Sequence, residues 1–329
     1  VHGDYDADGM CSAALLTRGL RRLGGDARPF VPHRTEHGYD LSEAGLDRAV
    51  EAGASLILTA DCGVTAVEPV ERARGAGLDV VITDHHSPGP RLPEATAVVN
   101  PSRTDSEYPF AGLAGVGVAF KLLEALYGRA GLPEEELNQH LDLVALGTVA
   151  DQVPLVDENR VLVRAGLVAL DRSRKPGVRA LLDVAGWSDG DGVDCSAVSY
   201  GIAPRLNAVG RIGDANRGVR LLLTDKGDEA RELARELERQ NRERKSADGR
   251  VLEQALEDLA ERYDPSRDRG VVLWGDDWHP GVIGIAASRI VERIHRPAVL
   301  ITFREGVGRG SGRSIDGFHL VEALGRCEG

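Results

Sequence analysis

Residues 55–61 (Ser-Leu-Ile-Leu-Thr-Ala-Asp) and residues 79–84 (Asp-Val-Val-Ile-Thr-Asp) are two short apolar runs, and they decide the fold. Each follows a segment rich in Ala, Glu and Arg that has a helical pattern. This alternation predicts βαβ units around a buried parallel sheet. Both runs end on an aspartate, and ligands of open α/β sheets bind beyond the carboxyl ends of the strands. We therefore expect Asp61 and Asp84 to face one crevice.

The C-terminal part of the chain is organised differently. Residues 226–263 contain no proline and are rich in Glu, Arg, Leu and Ala, which predicts one long helix. After Pro265, apolar runs predict strands over 270–274 and 298–303, with a helix between them. We thus expect a catalytic domain over 1–225, a connecting helix over 226–263 and a smaller α/β domain over 264–329. Since the chain opens on Val1 and its first motif begins at residue 2, we expect a fragment whose upstream strand is left out. We also expect the second domain to be incomplete at its C-terminal end.

The composition limits which classes of protein are possible. Hydrophobic residues make up 42% and charged residues 28%, the balance of a soluble globular protein. No apolar run reaches the ~18 residues that a membrane span requires. The four cysteines form no C-x-x-C pair, which argues against structural zinc and disulfides and favours a cytoplasmic protein. The net charge of −12 counts against a nucleic-acid partner, although a local basic groove on an acidic body stays open.

The opening segment concentrates acidic groups. His2-Gly-Asp4-Tyr-Asp6-Ala-Asp8-Gly places one histidine and three aspartates within seven residues, which repel one another unless a cation offsets them. A helix cap with a solvated acidic turn is one alternative. A calcium loop is another, but its twelfth position requires glutamate and holds Leu15.

Three further pieces complete a candidate metal site. Asp61-Cys-Gly and Asp84-His85-His86 each follow an apparent strand, and Thr-Val-Ala-Asp151 closes a helical stretch. Carboxylates with some imidazole suit Mn²⁺ or Mg²⁺, and thiolate ligands that favour zinc are absent. Two such ions promote in-line displacement at phosphorus. The set large enough for two ions is His2, Asp6, Asp8, Asp61, His85 and Asp151.

These motifs, in the order H-x-x-x-D-x-D, D-C-G, D-H-H and a late aspartate, resemble the DHH phosphoesterase superfamily. Within it, the chain is most similar to the RecJ family of exonucleases. The matching segments are H-G-D-Y-D-A-D-G, P-H-R-T-E-H-G-Y, A-P-R-L-N-A-V-G-R, W-H-P-G-V-I-G-I and G-S-G-R-S. The resemblance implies an α/β fold in which a parallel-sheet DHH domain is joined by a long helix to a smaller α/β DHHA1 domain.

The resemblance also implies a function. It predicts a 5′-to-3′ exonuclease that hydrolyses single-stranded DNA to mononucleotides in DNA repair and recombination. Its cofactors would be two divalent cations, with Mn²⁺ preferred and Mg²⁺ as the alternative. Its partners would be single-stranded DNA, a single-strand-binding protein and a helicase, and it would act as a monomer without a membrane.

Site roles follow from the same resemblance. One ion would be held by His2, Asp6 and Asp61. The other would be held by Asp8, Asp61, His85 and Asp151, so that Asp61 bridges the two. Asp84 would orient a histidine. His86 would face the phosphate as an electrostatic or proton-donating partner.

The expected substrate contacts lie in both domains. Residues 205–220 carry four arginines against one acid, a local basic stretch suited to phosphate, with a solvated helix face as the alternative. Residues 310–314 resemble the phosphate-contacting loop of DHHA1 domains, with a tight turn as the alternative. The candidate substrate-binding residues are Arg34, Tyr39, Arg205, Asn207, Arg211, His279, Ser311 and Arg313.

Three competing interpretations differ in function. The glycine-rich segment Gly115-x-Gly117 lacks the third glycine of a dinucleotide fingerprint, so close helix packing is favoured there. A DHH phosphoesterase for an oligonucleotide, a nucleoside bisphosphate or a cyclic dinucleotide would share every metal motif. A non-catalytic DNA-binding scaffold would have lost ligands, but each motif position is intact.

Overall fold

A four-stranded parallel sheet forms around the two apolar runs. The computed structural model describes residues 1–304 and 306–327. Its first sheet contains, in spatial order, β1 (His2–Gly3), β2 (Leu56–Ala60), β3 (Asp79–Thr83) and β4 (Ala97–Val99). Every neighbouring pair is parallel. The predicted parallel sheet is confirmed, and all four strands end at the same edge.

Helices surround this sheet and supply most of the core. The helix α1 (Ala7–Arg22) is buried at every position from Ala7 to Thr17, because its first three turns are almost free of long polar side chains. Its neighbours α4 (Gly115–Ala130) and α6 (Leu141–Asp151) are similarly apolar. The other helices before residue 226 are α2 (Glu43–Glu51), α3 (Val67–Gly75), α5 (Glu134–Asn138), α7 (Asp157–Asp171), α8 (Pro176–Ala185), a π-helix (Ala197–Ile202), α9 (Ala203–Ile212) and α10 (Asn216–Leu223).

The chain divides into two compact units, Val1–Gln240 and Asn241–Gly329. The division lies inside the helix α11 (Gly227–Arg262), which confirms the long helix predicted over 226–263. The domain boundaries expected at 225 and 263 stay a prediction, because the helix contributes residues to both units.

The second unit contains a three-stranded sheet. Its strands are β5 (Val271–Gly275), β6 (Ala298–Arg304) and β7 (Val307–Arg313), with β5 and β6 parallel and β6 and β7 antiparallel. The helices α12 (Ile283–Ile294) and α13 (Leu320–Gly325) accompany it. The expectation of a loop over 310–314 was wrong for all but its last residue, because Gly310 and Gly312 pair with Ile301 and Val299 of β6. Across residues 1–304 and 306–327, no helix is both long and apolar enough to cross a membrane.

Candidate metal centre

The acidic side chains gather at the carboxyl edge of the first sheet. Asp4 and Asp6 lie between β1 and α1, and Asp8 lies in the first turn of α1. Asp6 caps that helix, since its Oδ1 accepts a hydrogen bond from the Gly9 N–H at 3.0 Å. Asp151 reaches the same edge from the last position of α6.

Asp61 follows β2 directly and has an unusual backbone. Its φ of +67° lies in the left-handed region, which aspartate tolerates better than most residues. Its N–H donates to the Thr83 carbonyl at 3.0 Å, which ties the end of β2 to the end of β3. The side chain is fully buried and directed into the acidic cluster.

The N-terminus of α4 closes the site from one side. The Gly115 and Val116 N–H groups donate to the two Asp8 carboxylate oxygens at 2.7 and 3.0 Å. A methyl group added at Gly115 would overlap the Asp61 carboxylate. The first helical glycine of α4 therefore serves two aspartates, as a backbone donor to Asp8 and by leaving space for Asp61.

The site contains three overlapping sets of residues that could each hold a metal ion. Within each set, the ligand atoms lie within 4.8 Å of one another. They are Asp4, Asp6 and Asp61; Asp8, His85 and Asp151; and Asp61, His85 and His86. His85 Nε2 lies 3.2 Å from Asp61 Oδ1 and 3.6 Å from Asp151 Oδ2. Asp61 and His85 each belong to two sets, so the sets form one connected centre.

The donor set fits divalent cations. Asp4 Oδ1, Asp61 Oδ1 and His85 Nε2 are buried, and none of them makes a hydrogen bond of good geometry within the described residues, although the last two atoms lie 3.2 Å apart. This state is costly unless a cation binds there. Burial raises the pKa of Asp8, Asp61 and Asp4. A neighbouring carboxylate raises each pKa further: Asp151 acts on Asp8, Asp8 on Asp61, and Asp6 on Asp4. A cation would offset this repulsion, and oxygen with imidazole nitrogen is the donor chemistry of Mn²⁺.

Asp84 orients His86 beside this centre. Asp84 Oδ1 accepts hydrogen bonds from His86 Nδ1 at 2.8 Å and from the His85 and His86 N–H groups. Its Oδ2 accepts from the Val64 N–H at 2.9 Å. Burial favours a higher pKa for Asp84, but the hydrogen bond from His86 lowers it, and the same bond raises the pKa of His86 to about 9. Tyr39 Oη lies 3.4 Å from His86 Nε2 on the other side of the ring.

His2 lies outside the three ligand sets, and its expected role as a metal ligand stays a prediction. His2 is buried, with Nε2 3.4 Å from Ser42 Oγ and Nδ1 3.8 Å from Cys62 Sγ. Within the described residues it belongs to none of the three ligand sets. Asp4, which the sequence analysis left out of the ligand set, joins Asp6 and Asp61 instead. The reason is strand geometry: His2 lies within β1, whereas Asp4 lies beyond its carboxyl end.

Three of the expected substrate contacts lie around Tyr5, beside the acidic loop. The Arg34 guanidinium lies 4.9 Å from the centre of the Tyr5 ring, and the Tyr39 ring lies 6.0 Å from it. Burial raises the pKa of Tyr5, and the positive charges of Arg34 and Arg211 oppose that rise. Arg34, Arg211 and the half-exposed Tyr39 therefore form a basic and aromatic rim next to the acidic loop.

Two other candidates have structural partners instead. The Arg205 guanidinium forms an ion pair with Glu238 at 2.7 Å and donates to the carbonyls of Gly201 and Val184. Asn207 Oδ1 accepts from the Ala7 N–H at 2.8 Å. These contacts hold the guanidinium within the first unit, and the assignment of Arg205 to phosphate stays a prediction.

The remaining candidates lie in the second unit. Arg313 donates through Nε to Ser288 Oγ at 3.1 Å and through Nη1 to Ser311 Oγ at 3.2 Å. His279 Nδ1 accepts from the Gly281 N–H at 3.0 Å, and burial lowers the pKa of His279. Their expected contact with substrate stays a prediction.

Known proteins resemble the whole chain. Residues 1–148 match the DHH family, N-terminal domain, and residues 268–329 match the DHHA1 domain. A solved structure of exonuclease RecJ bound to manganese is 40% identical, with a TM-score of 0.85 over 98% of this chain and 79% of that chain. The chain belongs to the RecJ family. A RecJ from Thermus thermophilus in complex with Mn²⁺ also has a TM-score of 0.85, at 39% identity over 99% of this chain and 46% of that one.

The RecJ family also provides curated relatives. The single-stranded-DNA-specific exonuclease RecJ of Bacillus subtilis is 42% identical over 99% of this chain. The chain spans 41% of that relative's length.

Three features of this RecJ-family site escaped the sequence analysis. They are the carboxylate of Asp4, the backbone donors of Gly115 and Val116, and the close packing of Gly147 against Asp8. Asp4 was visible in the opening cluster, and the glycine-rich segment at 115 was a signal whose target could not be deduced.

Proposed function

We propose that the chain hydrolyses phosphodiester bonds of single-stranded DNA from the 5′ end, using two divalent cations. The observation that carries the proposal is the connected centre of three ligand sets sharing Asp61 and His85, in a chain of the RecJ family. The curated relatives support a DNA substrate over the small-substrate alternative, because relatives 40–43% identical are named single-stranded-DNA-specific exonucleases.

The chain's own carboxylates and the His85 imidazole would hold the two cations. We assign one ion to Asp4, Asp6 and Asp61 and the other to Asp8, Asp61, His85 and Asp151. Asp4 takes the place that the family resemblance gave to His2, because only Asp4 shares a ligand set with Asp6 and Asp61. When bound, cations of this kind would supply Lewis-acid stabilisation of the negative charge that develops on the oxygens around phosphorus.

His86 would act on the phosphate. Its Nδ1 is fixed by Asp84 at 2.8 Å, so the ring orientation is set before substrate binds. Its Nε2 lies on the opposite side of the ring, near Tyr39. From there His86 would stabilise phosphate charge or donate a proton to the leaving oxygen.

Basic groups would guide the DNA strand. Arg34 and Arg211 lie near Tyr5 in the acidic loop, and arginine makes bidentate contacts with phosphate. Tyr39 offers a half-exposed ring on which a base can stack. We assign further phosphate contacts to Ser311, Arg313 and His279 of the second unit.

The choice of metal and the cellular setting belong to the same proposal. Mn²⁺ is preferred over Mg²⁺ because the centre includes imidazole, and Thermus thermophilus RecJ has been solved with each ion. We place the enzyme in the cytoplasm as a monomer. There it would work with a helicase and a single-strand-binding protein in DNA repair and recombination.

A digestion with separately blocked ends tests the proposal. The 329-residue chain is incubated with Mn²⁺ and single-stranded DNA that carries a bulky group at one end, with matched duplex as the control. We expect mononucleotides from 3′-blocked DNA, no products from 5′-blocked DNA and little cleavage of duplex. Degradation that stops only with the 3′ block would refute the polarity. Hydrolysis of dinucleotides alone would favour the small-substrate alternative.

A further inference from the structure

The acidic loop between β1 and α1 rests on helix α9. This loop carries Asp4 and Asp6, and Asp8 follows in the first turn of α1. Between Asp6 and Asp8, the Ala7 N–H donates a hydrogen bond to Asn207 Oδ1 of α9 at 2.8 Å. Ala7 is the first residue of α1, where backbone N–H groups have no partner inside the helix. Asp6, the N-cap, satisfies the Gly9 N–H, and Asn207 satisfies that of Ala7.

A second contact fixes the separation of α9 from the loop. A methyl group added at Gly210 would overlap the Tyr5 carbonyl oxygen. Asn207 and Gly210 are three residues apart in α9, so they lie on the same face of that helix. This face therefore meets the backbone on both sides of Asp6, at Tyr5 and at Ala7.

The helix α9 is itself fixed by Arg205. The ion pair with Glu238 ties it to the first half of α11, and donation to the Gly201 and Val184 carbonyls ties it to the preceding segments. The A-P-R-L-N-A-V-G-R segment thus contains one residue that anchors the helix and two that meet the acidic loop.

We propose that Asn207 is a positioning residue for the metal centre, acting through the Ala7 backbone rather than on the substrate. By accepting the Ala7 hydrogen bond, it holds Asp6 and Asp8 on opposite sides of Ala7 at the separation that two cation sites require. The inference rests on the proposed function, since it presumes that these carboxylates bind metal. Residues that orient metal ligands from outside typically change affinity by about 10–100-fold when removed.

The test is a direct measurement of Mn²⁺ binding to the 329-residue chain, by electron paramagnetic resonance of free Mn²⁺. Asn207→Leu removes the acceptor, and Asn207→Asp keeps an oxygen at the same position. We expect about 10–100-fold weaker binding for Asn207→Leu and recovery of most of the affinity in Asn207→Asp. Asn207→Ala, which adds no bulk, repeats the measurement if the leucine variant does not fold.

Asn216→Leu is the matched control. Asn216 also bonds a backbone, accepting from the Val31 N–H at 3.0 Å and donating to the Val31 carbonyl at 2.9 Å, but it does not bond the acidic loop. Its loss should lower thermal stability and leave Mn²⁺ affinity unchanged.

A metal-free readout separates the two proposals. Amide hydrogen exchange at Ala7 should accelerate in Asn207→Leu and stay slow in Asn216→Leu, with no cation present. A wild-type chain that binds no Mn²⁺ would refute the proposed function. Unchanged Mn²⁺ affinity in folded Asn207→Leu, or an effect equal to that of Asn216→Leu, would overturn the positioning role while leaving the proposed function intact.

Discussion

Asp61 combines an unusual backbone conformation with a carboxylate in the candidate metal centre. Its left-handed backbone turns the chain sharply after β2, and its buried carboxylate belongs to two of the three ligand sets. Asparagine tolerates the same backbone region and has nearly the same volume, so it removes the charge with little effect on the fold. This makes Asp61 the most informative position for mutation in the centre.

The first prediction is that Asp61→Asn loses bound metal and hydrolysis together. Losing about 4 kcal/mol of transition-state stabilisation lowers the rate roughly a thousandfold. Elemental analysis and single-turnover kinetics measure both quantities. His86→Asn should instead lower the rate while both ions stay bound. Near-normal turnover in Asp61→Asn would rule out the shared-ligand assignment.

The second prediction concerns a histidine away from the metal centre. His140 is 3% exposed, and burial together with Lys175 lowers its pKa to about 4. In the unfolded state this histidine therefore takes up a proton near pH 6.5, whereas in the folded state it stays neutral down to about pH 4. The stabilising effect is complete above pH 6.5 and is lost as pH falls through about 4, a difference of roughly 3 kcal/mol.

Chemical denaturation of wild type and His140→Asn across this pH range measures the effect. The free energy of unfolding of wild type should fall relative to that of the variant as the solution is acidified. His295→Asn, at an exposed histidine, should track wild type at every pH. Parallel curves for wild type and His140→Asn would contradict the assignment.

At the scale of elements, the N-terminus of α4 is the helix end that contacts the candidate metal centre. Its first two N–H groups hold the Asp8 carboxylate, and the helix dipole favours a negative charge there. The strand β7 illustrates the opposite case, in which the glycine-rich segment 310–314, expected to be a loop, pairs with β6 at every residue except Ser314. Glycine enrichment alone could not distinguish these two uses.

The third prediction is that Gly115→Ala impairs the metal centre. The added methyl group overlaps the Asp61 carboxylate, so Asp61 must move and Mn²⁺ affinity should fall by at least about tenfold. Gly128→Ala in the same helix is the control, because no atom lies within 4 Å of the added methyl group. Isothermal titration with Mn²⁺ compares the two. Equal Mn²⁺ affinities of the two variants would show that metal binding does not depend on the present position of Asp61.

For the whole molecule, the buried carboxylates make metal binding a contribution to folding stability. A cation that binds only the folded chain adds about 2.7 kcal/mol at a hundredfold excess over Kd. The fourth prediction is therefore that saturating Mn²⁺ raises Tm by roughly 5 °C, and that chelation reverses the rise. The Asp61→Asn chain should show little dependence on Mn²⁺. A Tm that ignores Mn²⁺ in wild type would indicate that the ions do not bind this centre.

The sequence by itself determined the parallel sheet, the long helix and most of the acidic cluster. Apolar runs ending in aspartate suffice for this, because parallel strands must bring their carboxyl ends to one edge. The order of the motifs then pointed to the RecJ family. These properties depend on side-chain type and strand direction, which a sequence expresses directly.

The tertiary structure alone decided which neighbours complete the centre. The grouping of Asp4, rather than His2, with Asp6 and Asp61 depends on where β1 ends. The hydrogen bond from Gly115 depends on which carboxylate its helix meets. Arg205 and Asn207 carry the residue types of a phosphate-binding segment, yet their partners are Glu238 and the Ala7 backbone. Backbone donors and carbonyls are the same at every position, so no residue pattern identifies which of them a distant side chain will meet.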